Sequence, residues 1–260
     1  YSYRNLLFTA DGSELYFIRV ENSSPLGTLY RIPVLGGSAK KLREDIVVDN
    51  IMLSSDGGRL AFSRRNREGK SEIVVADTDG VEERVLLGRS PQYPAWSPDG
   101  KVIAFSSGSA ESGGEKMGIH EVRLSDGAQR EITSRKWQHV GDKSWLPDGG
   151  GLIVSARDLK TAAKQLWFVA YPSGETRPLS NDLDNFIHVS LTADARTLVA
   201  EQSNLVSEIW SGPLANVAGG QKVGVWGQDG LGLMPDGRIL YSALSSSTAQ
   251  EVWVMNADGS

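Results

Sequence analysis

The chain has 260 residues, 40% of them hydrophobic, which is enough to bury a sizeable core. Its net charge of −5 argues against a nucleic-acid surface, which has to displace counterions with clustered cations. The absence of cysteine excludes disulfides, thiolate metal sites and a cysteine nucleophile, and no apolar run reaches the ~20 residues of a membrane span.

From the N-terminus, a strand ending at Phe8 is predicted to turn through Thr9-Ala10-Asp11-Gly12 into the β-rich run Leu15–Ile18. A third run, Leu29–Ile32, then leads to a second turn at Gly36-Gly37. The same order returns as Leu53, Ser54-Ser55-Asp56-Gly57, Leu60–Phe62, Ile73–Val75 and Asp79-Gly80. The third unit reads Trp96, Ser97-Pro98-Asp99-Gly100, Val102–Phe105, Ile119–Val122 and Asp126-Gly127. The fourth reads Trp145, Leu146-Pro147-Asp148-Gly149, Leu152–Val154, Leu166–Val169 and Ser173-Gly174. In the fifth, Leu191 and Thr192-Ala193-Asp194-Ala195 precede Leu198-Val199, Ile209-Trp210 and Gly219-Gly220. The sixth runs from Leu233 through Met234-Pro235-Asp236-Gly237 to Ile239–Tyr241, Val252–Val254 and Asp258-Gly259. Short fourth strands are predicted at Arg84–Leu87, Glu131–Thr133 and Arg177–Leu179.

The turn aspartates stand 42 to 49 residues apart, the spacing of four-stranded propeller blades. One such unit cannot bury both faces, so units must stack around an axis. The expected fold is therefore an all-β, six-bladed β-propeller of four-stranded antiparallel blades. As one domain, its blades fall at about 1–45, 46–90, 91–137, 138–182, 183–225 and 226–260. The last blade has only three predicted strands, so either the chain is part of a longer protein or that blade is incomplete. Trp96 and Trp145 occupy the same repeat position and are expected to be buried in equivalent places.

The Ser97-Pro98-Asp99-Gly100 turn, with Pro94-Ala95-Trp96 before it and Ile103-Ala104-Phe105 after it, resembles the PD-type repeat of TolB-like propellers. The resemblance covers nearly the whole chain and is loosest in the fifth unit, where Ala195 replaces the turn glycine. Leu29–Gly37 and Trp145–Gly149 are similar to propellers fused behind bacterial serine/threonine kinases. That likeness implies a periplasmic or other extracytoplasmic sensor or interaction domain. Related repeats also occur in the gating propellers of serine peptidases and in metal-dependent pectate-fragment lyases. A repeat of this kind specifies fold more firmly than function.

No Gly-x-Ser-x-Gly elbow and no kinase signature is present, so no catalytic residue is assigned and any catalytic domain would lie outside this segment. No cofactor or metal site is assigned either. Of the three histidines, His120 is expected to pack between blades and His139 to be exposed on a loop. His188 belongs to a column six residues before each turn aspartate, shared with Asn5, Asn50, Tyr93, Asp142 and Gly230. Strand A of a blade lines the central channel, so this column should ring one channel mouth, with Asp49 and Asp229 one residue further out. A polar mouth of this kind is a candidate site for a small ligand or a protein partner. On the same face, the loop carrying Arg64, Arg65, Arg67 and Lys70 is a candidate contact for an acidic partner.

Overall fold

The computed structural model describes the chain except residues 10, 22–23, 25, 79–81, 89–90, 112–113, 162, 182–184, 193, 204–206, 214, 216–218, 227–230 and 245–249. For residues 47–50, 109–111, 114–115, 207, 225–226, 243–244 and 250 it describes the backbone alone. Among the described residues the strands are arranged as six successive antiparallel units.

The first blade holds β1 (Ser2–Phe8), β2 (Glu14–Val20), β3 (Leu26–Pro33) and the start of β4 (Lys40–Leu53). β4 runs on to become the inner strand of the second blade, which continues with β5 (Arg59–Arg65), β6 (Ser71–Asp77) and β7 (Glu83–Leu87). The third blade is β8 (Gln92–Trp96), β9 (Val102–Glu111), β10 (Gly114–Arg123) and β11 (Gln129–Glu131). The fourth is β12 (His139–Trp145), β13 (Gly151–Arg157), β14 (Lys164–Ala170) and β15 (Thr176–Pro178). In the fifth, β16 (Phe186–Leu191) pairs with β17 (Leu198–Gln202), and β18 (Ser207–Ser211) with β19 (Gln221–Trp226). The sixth has β20 (Leu231–Leu233), β21 (Ile239–Leu244) and β22 (Gln250–Met255).

The turn between the first two strands of each blade is built alike, and the sequence explains why. The aspartate carboxylate accepts the backbone N–H two residues later, as from Ser13, Gly58, Lys101, Gly150, Arg196 and Arg238, at 2.8–3.1 Å. Where a Ser or Thr opens the turn, its hydroxyl also donates to that carboxylate, and these bonds lower the pKa of Asp11 to about 2. The next residue has positive φ: glycine in five turns, but Ala195 at φ 55° in the fifth. An alanine Cβ crowds the carbonyl there. Replacing Ala195 by glycine is expected to raise stability by about 1 kcal/mol, read as an increase in the denaturant midpoint at unchanged slope.

The cores lie between blades. Tyr16, Ile18 and Leu29 of the first blade meet Leu60, Phe62 and Val74 of the second. Ala61, Ile73 and Val75 meet Trp96, Ile103 and Phe105, and Met117 and Ile119 meet Trp137, Trp145 and Trp167. Trp96 and Trp145 are both buried, in equivalent places. Phe8 and Leu233, at the same repeat position in the end blades, are 61% and 76% exposed.

Candidate functional site

The inner strands of the first five blades each break their pairing near the same place, a few residues before the turn. Register shifts fall between Arg4 and Leu7, Ile46 and Ile51, Gln92 and Ala95, Val140 and Lys143, and Phe186 and His188. A bulge of this kind kinks the strand and re-aims its side chains, here toward the axis. Within the bulges Asn5 and Tyr93 adopt left-handed backbone, with φ of 54° and 51°. Asparagine tolerates that geometry, whereas a tyrosine held there stores roughly 1–3 kcal/mol of strain.

The bulges open onto one cavity of about 670 Å³ lined by residues of the first five blades. Asn5, Tyr93, Asp142 and His188, four members of the sequence column, share its wall. The Asn50 and Asp49 side chains, with Asp229 and Gly230, lie outside the described residues.

The polar centre of the cavity is a line of three side chains. His188 Nδ1 is 2.6 Å from Asp142 Oδ2, a contact between the fourth and fifth blades. An ionised carboxylate only accepts, so Nδ1 carries the proton and donates, and in the neutral ring Nε2 is an acceptor. Nε2 lies 3.9 Å from Glu201 Oε2, because Glu201 is the direct cross-strand partner of His188. Among the described residues no three His, Asp or Glu side chains converge in a way that could hold a metal ion.

Lys143 forms the floor of the same cavity. It is buried, and its Nζ donates to the carbonyls of Tyr93 at 2.8 Å and Gly141 at 3.1 Å, joining the bulges of the third and fourth blades. Burial lowers its pKa to about 7, with Asp142 opposing the fall. Sequence reasoning missed both Lys143 and Glu201. Lys143 was visible as the single charged member of a column whose other residues are Leu6, Ile51, Pro94, Val189 and Leu231. Glu201 required the strand register.

No family model matches the chain. Among curated proteins it is 23% identical over 160 residues to dipeptidyl-peptidase 5 of Porphyromonas gingivalis, covering 56% of this chain and 23% of that protein. It is 31% identical over 116 residues to the Tol-Pal system protein TolB of Hahella chejuensis, covering 40% of this chain and 26% of TolB. The chain therefore spans about a quarter of either relative. A candidate TolB structure from Agrobacterium tumefaciens superposes with a TM-score of 0.66 at 15% identity, over 98% of this chain and 82% of that one. TolB of Acinetobacter baumannii superposes with 0.60 at 16% identity, over 95% and 62%. The chain has the TolB-type β-propeller fold. An oligogalacturonate lyase solved with manganese shares the architecture, with a TM-score of 0.57 at 15% identity over 98% of this chain and 75% of that one.

Elsewhere on this TolB-type propeller, charge is largely paired internally. Arg64 bridges Glu72 at 3.1 Å and Glu83 at 2.7 Å, which places it within the blade, although the sequence puts it on a projecting loop. Arg65 donates to the Gly69 carbonyl and Lys70 pairs with Glu68. Arg67 is exposed, with no ion pair among the described residues. On the opposite face, a groove between the second and third blades carries Arg84, Lys101 and Arg123. Arg84 is bonded to the Leu124 carbonyl, Lys101 to Asp99 and Arg123 to Asp126. The other histidines are held as packing groups. His120 is half-buried and stacked on Phe105. His139 stands on β12, not on an exposed loop, and burial lowers its pKa to about 4.

Proposed function

We propose that this chain is a non-catalytic ligand-binding or protein-binding propeller, the extracytoplasmic sensor part of a larger bacterial protein such as a receptor-like serine/threonine kinase. Its ligand enters the channel mouth. The observation that carries this reading is the set of bulges that gathers Asn5, Tyr93, Asp142 and His188 around one cavity. Ligand sites are concave and present a few convergent polar groups, and in this cavity polar side chains share the wall with apolar and aromatic ones. The Tyr93 backbone strain supports it, because strain of this kind concentrates at sites where geometry is held for a purpose.

A thermal-shift screen of the chain against bacterial envelope metabolites and short peptides tests the assignment. Ligands that raise the melting temperature should lose that effect in Asp142→Asn and His188→Ala. Hits that bind both variants as well as the parent would move the site elsewhere. An enzymatic reading is tested by adding oligogalacturonates and manganese. No unsaturated product is expected, and product whose rate vanishes in His188→Ala would replace the sensor reading with a lyase.

The similarity to a dipeptidyl-peptidase supports a second reading, an accessory propeller that gates a peptidase. The parent gene separates the two. A kinase domain followed by an apolar span upstream supports the sensor, and a Gly-x-Ser-x-Gly elbow downstream supports the gate.

A further inference from the structure

Three basic side chains stand in a row on the fourth blade. His139, Arg157 and Lys164 are direct cross-strand partners on β12, β13 and β14, so all three leave the same face of the sheet. Direct partners stand roughly 5 Å apart at Cβ, close enough for one ligand to reach neighbours. In the second blade an arginine near the same strand end, Arg64, faces Glu72 across the ladder and bridges it at 3.1 Å. In the fourth blade the arginine faces a lysine instead. Neither Arg157 nor Lys164 makes an ion pair among the described residues, and Arg157 Nε is buried without a hydrogen-bond partner.

The surroundings leave the row cationic. Asp158, beside Arg157 in the chain, bridges Arg135. Asp142 acts on Lys164 but is already bonded to His188. Asp182 and Asp184 lie outside the described residues. His139 packs edge-on against Tyr93, with its Nδ1 buried and unpartnered. Burial, then the charges of Lys164, Arg157 and Lys143, lower the His139 pKa to about 4. Burial and Arg157 likewise lower the pKa of Lys164, against the pull of Asp142. Like charges directly opposite each other destabilise a sheet, and an anion lying over the row relieves that repulsion. None of the three residues lines the channel cavity, so this site stands whether or not the channel takes a ligand.

We propose that the row binds a tetrahedral oxyanion of the phosphate class, gripped by the Arg157 guanidinium and the Lys164 ammonium with the His139 imidazole beside them. A guanidinium presents paired N–H donors that match two phosphate oxygens, and an ammonium supplies a point charge. A phosphomonoester carries about −1.5 to −2 at pH 7, which matches two cations, whereas a carboxylate leaves one of them unmatched. Free phosphate and a phosphomonoester on a small molecule present the same chemistry.

The test is calorimetric titration of the whole chain with inorganic phosphate at constant ionic strength, beside the Cε1–H NMR signals of the three histidines. Saturable binding is expected, about tenfold tighter than for acetate, with the His139 signal moving and that of His120 still. Arg157→Gln should weaken phosphate about tenfold or more, the effect of losing a charge-assisted pair. Lys164→Met removes the opposed charge, so without phosphate it should melt at or above the parent temperature. Added phosphate should raise the melting temperature of the parent and leave that of Lys164→Met nearly unchanged. If Arg157→Gln does not fold, Lys164→Met carries the binding comparison alone. Glycerol 3-phosphate identifies the source. Tighter binding than inorganic phosphate supports an ester, and equal or weaker binding supports the free anion. No saturable binding to the parent, the result if Asp182 or Asp184 neutralises the row, overturns the proposal. Acetate binding as tightly as phosphate overturns it too, as does binding that both variants leave unchanged.

Discussion

Truncating Trp145 to alanine is expected to cost about 3–5 kcal/mol, the range for removing a large buried aromatic whose cavity cannot collapse. The indole is 7% exposed in the cluster that joins the third and fourth blades, beside Trp137 and Trp167. Its Nε1 donates to the Ala95 carbonyl at 3.1 Å, a bond between the inner strands of adjacent blades. It also meets Tyr171 edge-on, with ring centres 4.9 Å apart. The truncation removes packing on both sides and leaves the Ala95 carbonyl without its donor, so the cavity and polar penalties act together. Trp210 is the control: it is 62% exposed, and Trp210→Ala should change stability by less than about 0.5 kcal/mol. Urea unfolding of the two variants beside the parent makes the comparison. Equal small losses would mean that the blade interface is not where the chain's stability resides.

Lys143 should make stability depend on pH in a window where few other groups act. In the unfolded chain its amine titrates near 10.5, and burial lowers that to about 7 in the folded state. Between those values the unfolded chain holds a proton that the folded chain has shed, so raising the pH favours folding. The slope is about 1.4 kcal/mol per pH unit, or roughly 2–3 kcal/mol from pH 7 to pH 9. Below the folded value both states are protonated and the penalty is constant. Above the unfolded value it disappears. Lys143→Met keeps the volume and removes the titration, so the difference between parent and variant should grow steadily in the parent's favour from pH 7 to 9. A difference that stays flat would show that the carbonyls of Tyr93 and Gly141 hold the ammonium charged throughout. The same lysine braces the bulges that carry Tyr93 and Asp142, so ligand binding at the channel should weaken in Lys143→Met even where the fold is intact.

Much of the architecture is local chemistry repeated, and local chemistry is legible in a chain. Each Asp, with the positive-φ residue after it, closes its own turn within a few residues, and the apolar runs on either side have the alternation of strands. The channel column follows from the same repeat, because a position at a constant offset from the turn returns to the same cavity wall in the first, third, fourth and fifth blades. Asn5, Tyr93, Asp142 and His188 are therefore grouped by the repeat alone.

What the repeat does not contain is pairing across strands and packing across blades. Glu201 reaches the site only because the bulge in β16 sets it opposite His188. Lys143 turns inward because its amine finds two carbonyls freed by bulges, a partner set drawn from residues 50 positions apart and from its own strand. The contrast between the equivalent aromatics is of the same kind. Trp167 is buried and Trp210 exposed at one repeat position, since burial depends on the neighbouring blade covering that face. Turn chemistry and strand periodicity are properties of a few adjacent residues, so the sequence by itself determined a chain of blades and grouped four side chains that share one cavity wall. Which charges are buried, which histidine meets which carboxylate and which apolar faces remain open depend on contacts between distant segments, and the tertiary structure alone decided them.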